Sequence, residues 1–106
     1  MSERRRLPNR RASVSFTFRV ETLAYTCTYS QLGGQVLEVF LQNHRTNSDA
    51  DVNARDAAIA CSFALQHGAD PEVIRRALCR DSRGSASGPL GVALDCIAEI
   101  EKGAKR

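Results

Sequence analysis

Tryptophan is absent from the chain, proline occurs only 3 times, and aromatic residues make up only 6% of it. A core must therefore be built from aliphatic side chains, cysteines and a handful of Phe and Tyr residues. No apolar run approaches the roughly 20 residues that a membrane-spanning helix needs, so no membrane association is expected. Met1-Ser2-Glu3-Arg4-Arg5-Arg6 is not followed by a hydrophobic stretch, which predicts no secretory signal and a cytoplasmic location. There is no C-x-x-C pair, and His44 and His67 lie far from any pair of cysteines. A metal centre of close N and S ligands is not expected. The lysine and spacing of a Walker A phosphate loop are also missing.

What is present fits one domain. A chain of 106 residues buries a single modest core. Cys27, Cys61, Cys79 and Cys96 fall in apolar pattern positions or at helix ends, and all four are expected to be reduced and mostly buried, packed as small hydrophobes. The net charge is +3, unevenly spread. Arg4, Arg5, Arg6, Arg10 and Arg11 crowd the start with Glu3 as the only acid. Arg75, Arg76, Arg80 and Arg83 form a second cluster, and Lys102, Lys105 and Arg106 a third. Basic clusters suit phosphate backbones or acidic partners, so a small nucleic-acid-binding protein acting through the first cluster is one open reading. Such binding would be electrostatic, because the strand aromatics alternate toward a core and are not free for base stacking.

Residues 1–11 read as a flexible basic arm, 12–101 as the domain and 102–106 as a basic tail. Val14, Phe16, Phe18 and Val20 alternate with polar residues, as do Leu23, Tyr25, Cys27 and Tyr29, which predicts two half-buried strands joined tightly at Glu21-Thr22. Gly33-Gly34 marks a turn, and a third strand follows through Val36 to Leu41, apolar on both faces except at Glu38. Its outer face, with Val36 and Phe40, is expected to be covered by another subunit, leaving a homodimer open. From Asp49 the period changes to that of a helix. Ser48 or Asp49 caps it, Ala58, Cys61, Leu65, Ile59 and Phe63 make a wide apolar stripe, and Gly68 ends it. Asp70-Pro71 starts a second helix with Ile74, Ala77 and Leu78 inside. A flexible loop leads to Pro89 and a third helix with Leu90, Ala93, Leu94, Ile97 and Ile100 inside. The expected class is α+β: an antiparallel β-meander of three strands followed by three helices packed on one face.

Three groups of residues are candidates for a site. Asp56 is spaced to lie near the apolar stripe of the long helix. A buried carboxylate needs a partner, so Arg55 and Asp56 are expected to serve a structural ion pair rather than catalysis. Gln66 and His67 end that helix, where its dipole favours a cation, and a capping role competes with a ligand-binding one. The stretch from Arg80 to Gly91 combines arginines, serines and glycines with a helix start. Arg80, Arg83, Ser87, Gly88 and Gly91 are the candidate phosphate or nucleotide site, since helix N-termini and arginines both favour anions. A plain connector capped by Ser87 is the competing reading.

Leu7-Pro8-Asn9-Arg10-Arg11, Glu38-Val39-Phe40-Leu41, Arg55-Asp56-Ala57-Ala58-Ile59, Ala64-Leu65-Gln66-His67-Gly68 and Gly88-Pro89-Leu90-Gly91-Val92-Ala93-Leu94-Asp95 occur in that order. Together they resemble the TSCPD domain, found near the C-terminus of adenosylcobalamin-dependent (class II) ribonucleotide reductases and also as short stand-alone proteins. The resemblance covers the chain from Leu7 to Ile97. It implies an association with ribonucleotide reductase and deoxyribonucleotide synthesis, as a binding or regulatory module with a nucleotide or the reductase as partner. It does not imply reductase activity here, because the barrel, radical cysteine and cobalamin site of those enzymes do not fit in this chain. The chain itself is expected to bind no cofactor; adenosylcobalamin belongs to the full-length reductases. The C-terminal cysteine pair that follows the domain in those enzymes is missing from Lys102-Gly103-Ala104-Lys105-Arg106.

Overall fold

The computed structural model describes residues 3–9 and 12–104. Its elements run β1 (Ser13–Val20), β2 (Leu23–Leu32), β3 (Gln35–Asn43), α1 (Asp49–Gln66), α2 (Pro71–Ala77) and α3 (Pro89–Ala104). The strands form one antiparallel sheet in the order β1-β2-β3. The expected α+β meander followed by three helices is the observed fold. Glu21 adopts φ 55 in the tight β1–β2 turn, and Gly33 and Gly34 supply the positive φ of the β2–β3 turn.

One sheet face carries the core. Phe16, Phe18 and Val20 of β1 pack against a buried cluster that includes Tyr25, Cys27 and Tyr29 of β2 and Val39 and Leu41 of β3. Phe18 stacks on Tyr25 at 5.3 Å, and Phe16 meets Tyr29 edge-on at 6.3 Å. Ala54, Ala58, Cys61 and Leu65 of α1 and Ala93, Leu94 and Ile97 of α3 complete the cluster. The alanines let α1 approach β3 closely, and polar side chains on the same helix face then reach the strand backbone. The Ser62 hydroxyl accepts from Val39 N–H and donates to Val39 C=O, both at 2.9 Å. Gln66 Nε2 donates to Leu37 C=O at 3.1 Å, and Asn43 N–H donates to Asp51 Oδ1 at 2.9 Å. α1 thus occupies the place of a fourth strand along the β3 edge.

Several expectations change. The stripe of α1 is narrower than its apolar residues suggest: Ile59 and Phe63 are 49% and 46% exposed. A bulge between Ser30 and Gln31 shifts the pairing at the start of β3, so Val36 joins the core cluster instead of the outer face, while Phe40 stays 48% exposed. The segment from Arg80 to Gly88 is a closed turn. Arg80 bridges Ala86, Asp81 N–H donates to Ser85 C=O, and Asp81 Oδ1 accepts from the N–H groups of Arg83 and Ser85. α3 continues through Lys102 and Gly103 to Ala104, which takes Lys102 from the expected tail into a helix. No helix of the described residues is long and apolar enough to cross a membrane.

Candidate functional site

A cleft of about 660 Å³ opens where the β2–β3 turn, the α1–α2 junction and the second half of α3 meet. That volume lies in the range of small-molecule sites. Local sequence builds each wall. α1 ends in a Schellman turn: His67 is the C-cap, Gly68 takes φ 100, Ala69 N–H donates to Ala64 C=O and Gly68 N–H to Leu65 C=O. Asp70 then caps α2 by accepting from Glu72 N–H at 2.9 Å, with Pro71 in the first turn. The apolar floor is Val36, Leu37, Leu65, Leu94 and Ile97, and the charged rim includes Arg5, Asp70, Glu72, Arg75, Glu101 and Lys102. Buried Tyr29 donates its hydroxyl to Glu101 Oε2 at 2.7 Å from beneath. Burial and this acceptor both raise the Tyr29 pKa.

Beside the cleft runs an ionic chain through Glu72, Arg75, Asp95 and Arg80, with Arg76 Nε also 3.5 Å from Glu72 Oε2. Arg75 donates to Glu72 through Nε at 3.0 Å and Nη2 at 2.9 Å, and to Asp95 Oδ1 through Nη1 at 2.9 Å. Arg80 grips the same carboxylate from the other side, with Nη2 at 2.7 Å from Oδ1 and Nη1 at 2.9 Å from Oδ2. The Arg80 and Arg75 guanidinium groups hold the Asp95 carboxyl below its usual range. Arg80 also donates to the carbonyls of Gly84 and Arg75.

This geometry redistributes the residues expected to bind phosphate. Arg80 is committed to Asp95, whereas Arg83 and Ser87 are exposed. Val92 N–H bonds Gly88 C=O, so Gly88 and not Ser87 stands at the α3 cap. Gly91 is buried, and a Cβ there would sit 3.0 Å from Ala86 Cβ. Its smallness serves packing of the loop on α3 rather than an anion cradle. The expected Arg55–Asp56 pair is also corrected. Asp56 is exposed, and Arg55 lies 3.8 Å from the fully buried Asp51. Asp51 accepts backbone N–H groups from Asn47 and Asn43, which lower its pKa in that order. Gln66 is buried between Leu37 C=O and the arm, where its Oε1 accepts from Arg4 Nε at 2.5 Å. His67 is exposed, with Nδ1 2.9 Å from Phe63 C=O.

The first basic cluster is partly spent on the domain. Arg4 lies over the Phe63 ring at 4.5 Å, Arg5 N–H donates to Gln66 C=O at 2.6 Å, and the Arg5 guanidinium bonds Gln35. Arg6 is exposed, and Arg10 and Arg11 lie outside the described residues. All four cysteines are free: Cys27 and Cys61 are buried, Cys96 is half-buried and Cys79 is exposed, against the expectation that it packs inside. Burial pushes the Cys27 thiol up to about 12 and the Cys61 thiol up to about 11, so neither is a thiolate near neutral pH. Among the described residues, no cluster of three His, Cys, Asp or Glu side chains could hold a metal ion.

Sequence reasoning missed Asp51, Ser62, Asp95 and Glu101. The signal for the first two was a polar residue inside a helical apolar stripe. Asp95 and Glu101 had none, because their partners are distant in sequence. Comparison of the chain with protein-family models, curated proteins and solved structures finds no match.

Proposed function

We propose that this protein is a non-catalytic, TSCPD-like binding module associated with ribonucleotide reductase, and that its ligand is a nucleotide held in the cleft between the β2–β3 turn, the α1–α2 junction and α3. The observation that carries this reading is the cleft itself: an apolar floor wide enough for a base, with Arg5 and Lys102 on the rim to meet phosphate. Two of the segments that resemble the TSCPD domain contribute to it, through Leu65 and Gly68 and through Leu94. The high pKa values of Cys27 and Cys61 favour binding over thiol chemistry.

Calorimetric titration of the full chain with ribo- and deoxyribonucleotides at low salt tests this. Saturable binding is expected, with discrimination among bases, and Ala98→Trp, which fills the cleft from α3, should abolish it. Arg80→Ala with Arg83→Ala should leave it intact, since Arg80 serves Asp95. Absence of saturable binding, or binding untouched by Ala98→Trp, refutes the cleft reading. Base-blind binding that collapses with salt would instead mark a phosphate-backbone ligand. Co-purification with a ribonucleotide reductase tests the association separately.

A further inference from the structure

The two edges of the sheet are treated differently by the fold. Along β3, the outward backbone groups of Leu37, Val39 and Asn43 are met by Gln66, Ser62 and Asp51. The ladder then fixes which groups of β1 face outward. Since odd-numbered β3 residues point away from the sheet, Glu38, Phe40 and Gln42 bond Ser30, Thr28 and Thr26. Tyr25, Cys27 and Tyr29 are left to bond Phe18, Phe16 and Val14. The N–H and C=O groups of Ser13, Ser15, Thr17 and Arg19 therefore point off the free edge, and no hydrogen bond from a described residue reaches them.

Free edges are normally blunted by proline, by glycine-led bulges, by charge or by short length. β1 has 8 residues, Ser-Val-Ser-Phe-Thr-Phe-Arg-Val, with no proline or glycine and one charge near its end. We propose that this edge pairs with β1 of a second copy of the chain, antiparallel about a two-fold axis at Phe16, to make one continuous sheet.

The strand is self-complementary in that register. Ser13 faces Arg19 of the second copy and Ser15 faces Thr17, so every outward backbone group has a partner and the arginines stay apart. On the core side Val14 faces Phe18 and Phe16 faces Phe16, the aromatic and β-branched pairs that stabilise antiparallel ladders. Val14 is 42% exposed in the single chain despite sitting on the core face, and the pairing covers it. A register centred on Ser15 or Thr17 leaves one outward residue unpaired. The edge demands an extended strand, and an antiparallel copy of itself meets the isologous symmetry of a closed dimer.

Sedimentation of the full chain over roughly 1 μM to 1 mM, with amide exchange by NMR, tests the pairing. The expected result is a monomer–dimer equilibrium in which the Ser15 and Thr17 amides are protected at high concentration and exposed on dilution. Thr17→Pro removes an outward N–H that no described residue uses and should weaken the dimer at least tenfold. Val14→Lys should do the same without touching the backbone, which covers the case in which the proline disturbs folding. A monomer at every concentration, a dimer whose Ser15 and Thr17 amides exchange freely, or a dimer unaffected by Val14→Lys overturns the proposal. Protection gained only when an unrelated extended peptide is added also overturns it and assigns the edge to a foreign strand. Nucleotide binding does not depend on any of these outcomes.

Discussion

Replacing Ser62 with alanine should cost far more than a surface serine, because of where its hydroxyl goes. It satisfies both Val39 N–H and Val39 C=O at 2.9 Å, in a position only 8% exposed. Alanine fits the same space and prefers helix, so local propensity predicts a gain of a few tenths of a kcal/mol. Two buried backbone groups left unpaired instead cost about 1–3 kcal/mol each. The balance is a net loss of roughly 2–5 kcal/mol, a large share of the 5–15 kcal/mol that holds a typical domain. With an m-value near 1.5 kcal/mol/M, a loss of about 3 kcal/mol lowers the urea midpoint by about 2 M. Far-UV circular dichroism across a urea series measures the midpoint, and amide exchange at Val39 reports the local site. Ser62→Cys, which keeps the size but offers a weaker donor and acceptor, should fall between the two. A loss below about 0.5 kcal/mol with Val39 still protected would refute the reasoning, since water or a strand shift would then have replaced the hydroxyl.

Other outcomes follow from the ionic chain, the loop and the thiols. The Asp95 carboxyl is held low by Arg80 and then Arg75, so its stabilisation is present above an ordinary aspartate pKa of about 4 and fades as pH falls through the lower folded value. Asp95→Asn should therefore lower Tm at pH 7 and narrow the gap to the native chain below about pH 4; a pH-independent gap would remove the charge from the account. Gly91→Ala would set a Cβ 3.0 Å from Ala86 Cβ, so crowding of the loop should offset the about 1 kcal/mol that alanine gains over glycine inside a helix, and adding Ala86→Gly in the double variant should release that gain. Thiol labelling of the native chain should modify exposed Cys79 first and Cys96 more slowly, and reach buried Cys27 and Cys61 only on unfolding. Fast labelling of Cys27 would contradict the packing of the core.

Much of the architecture is carried by local pattern. The alternation through Val14 to Val20 and Leu23 to Tyr29, the glycine pair at 33–34, and the change of period at Asp49 each act within a few residues. Side-chain direction in a strand and the stop signal of Gly68 need no distant partner, so they could be read directly. The placement of the α1 stripe could not. Ile59 and Phe63 are as apolar as Leu65, yet Ala54, Ala58 and Cys61 face the sheet because small residues allow the approach that Ser62, Gln66 and Asp51 require. That same rotation explains why Asp51 and not Asp56 is the buried carboxylate.

By itself the sequence determined the order of elements, the end of α1 and the faces that β1 and β2 turn inward, because these depend on periodicity and on turn and cap chemistry within a few positions. Only the tertiary structure decided how the charges are spent. Arg80 and Arg75 share Asp95, Arg4 and Arg5 bond Gln66 of α1 and Gln35 at the start of β3, and Glu101 meets Tyr29. Those partners lie 15, 20, 62, 30 and 72 residues apart in the chain, and a hydrogen bond across such a separation is set by which elements pack together, for which no single segment holds the information.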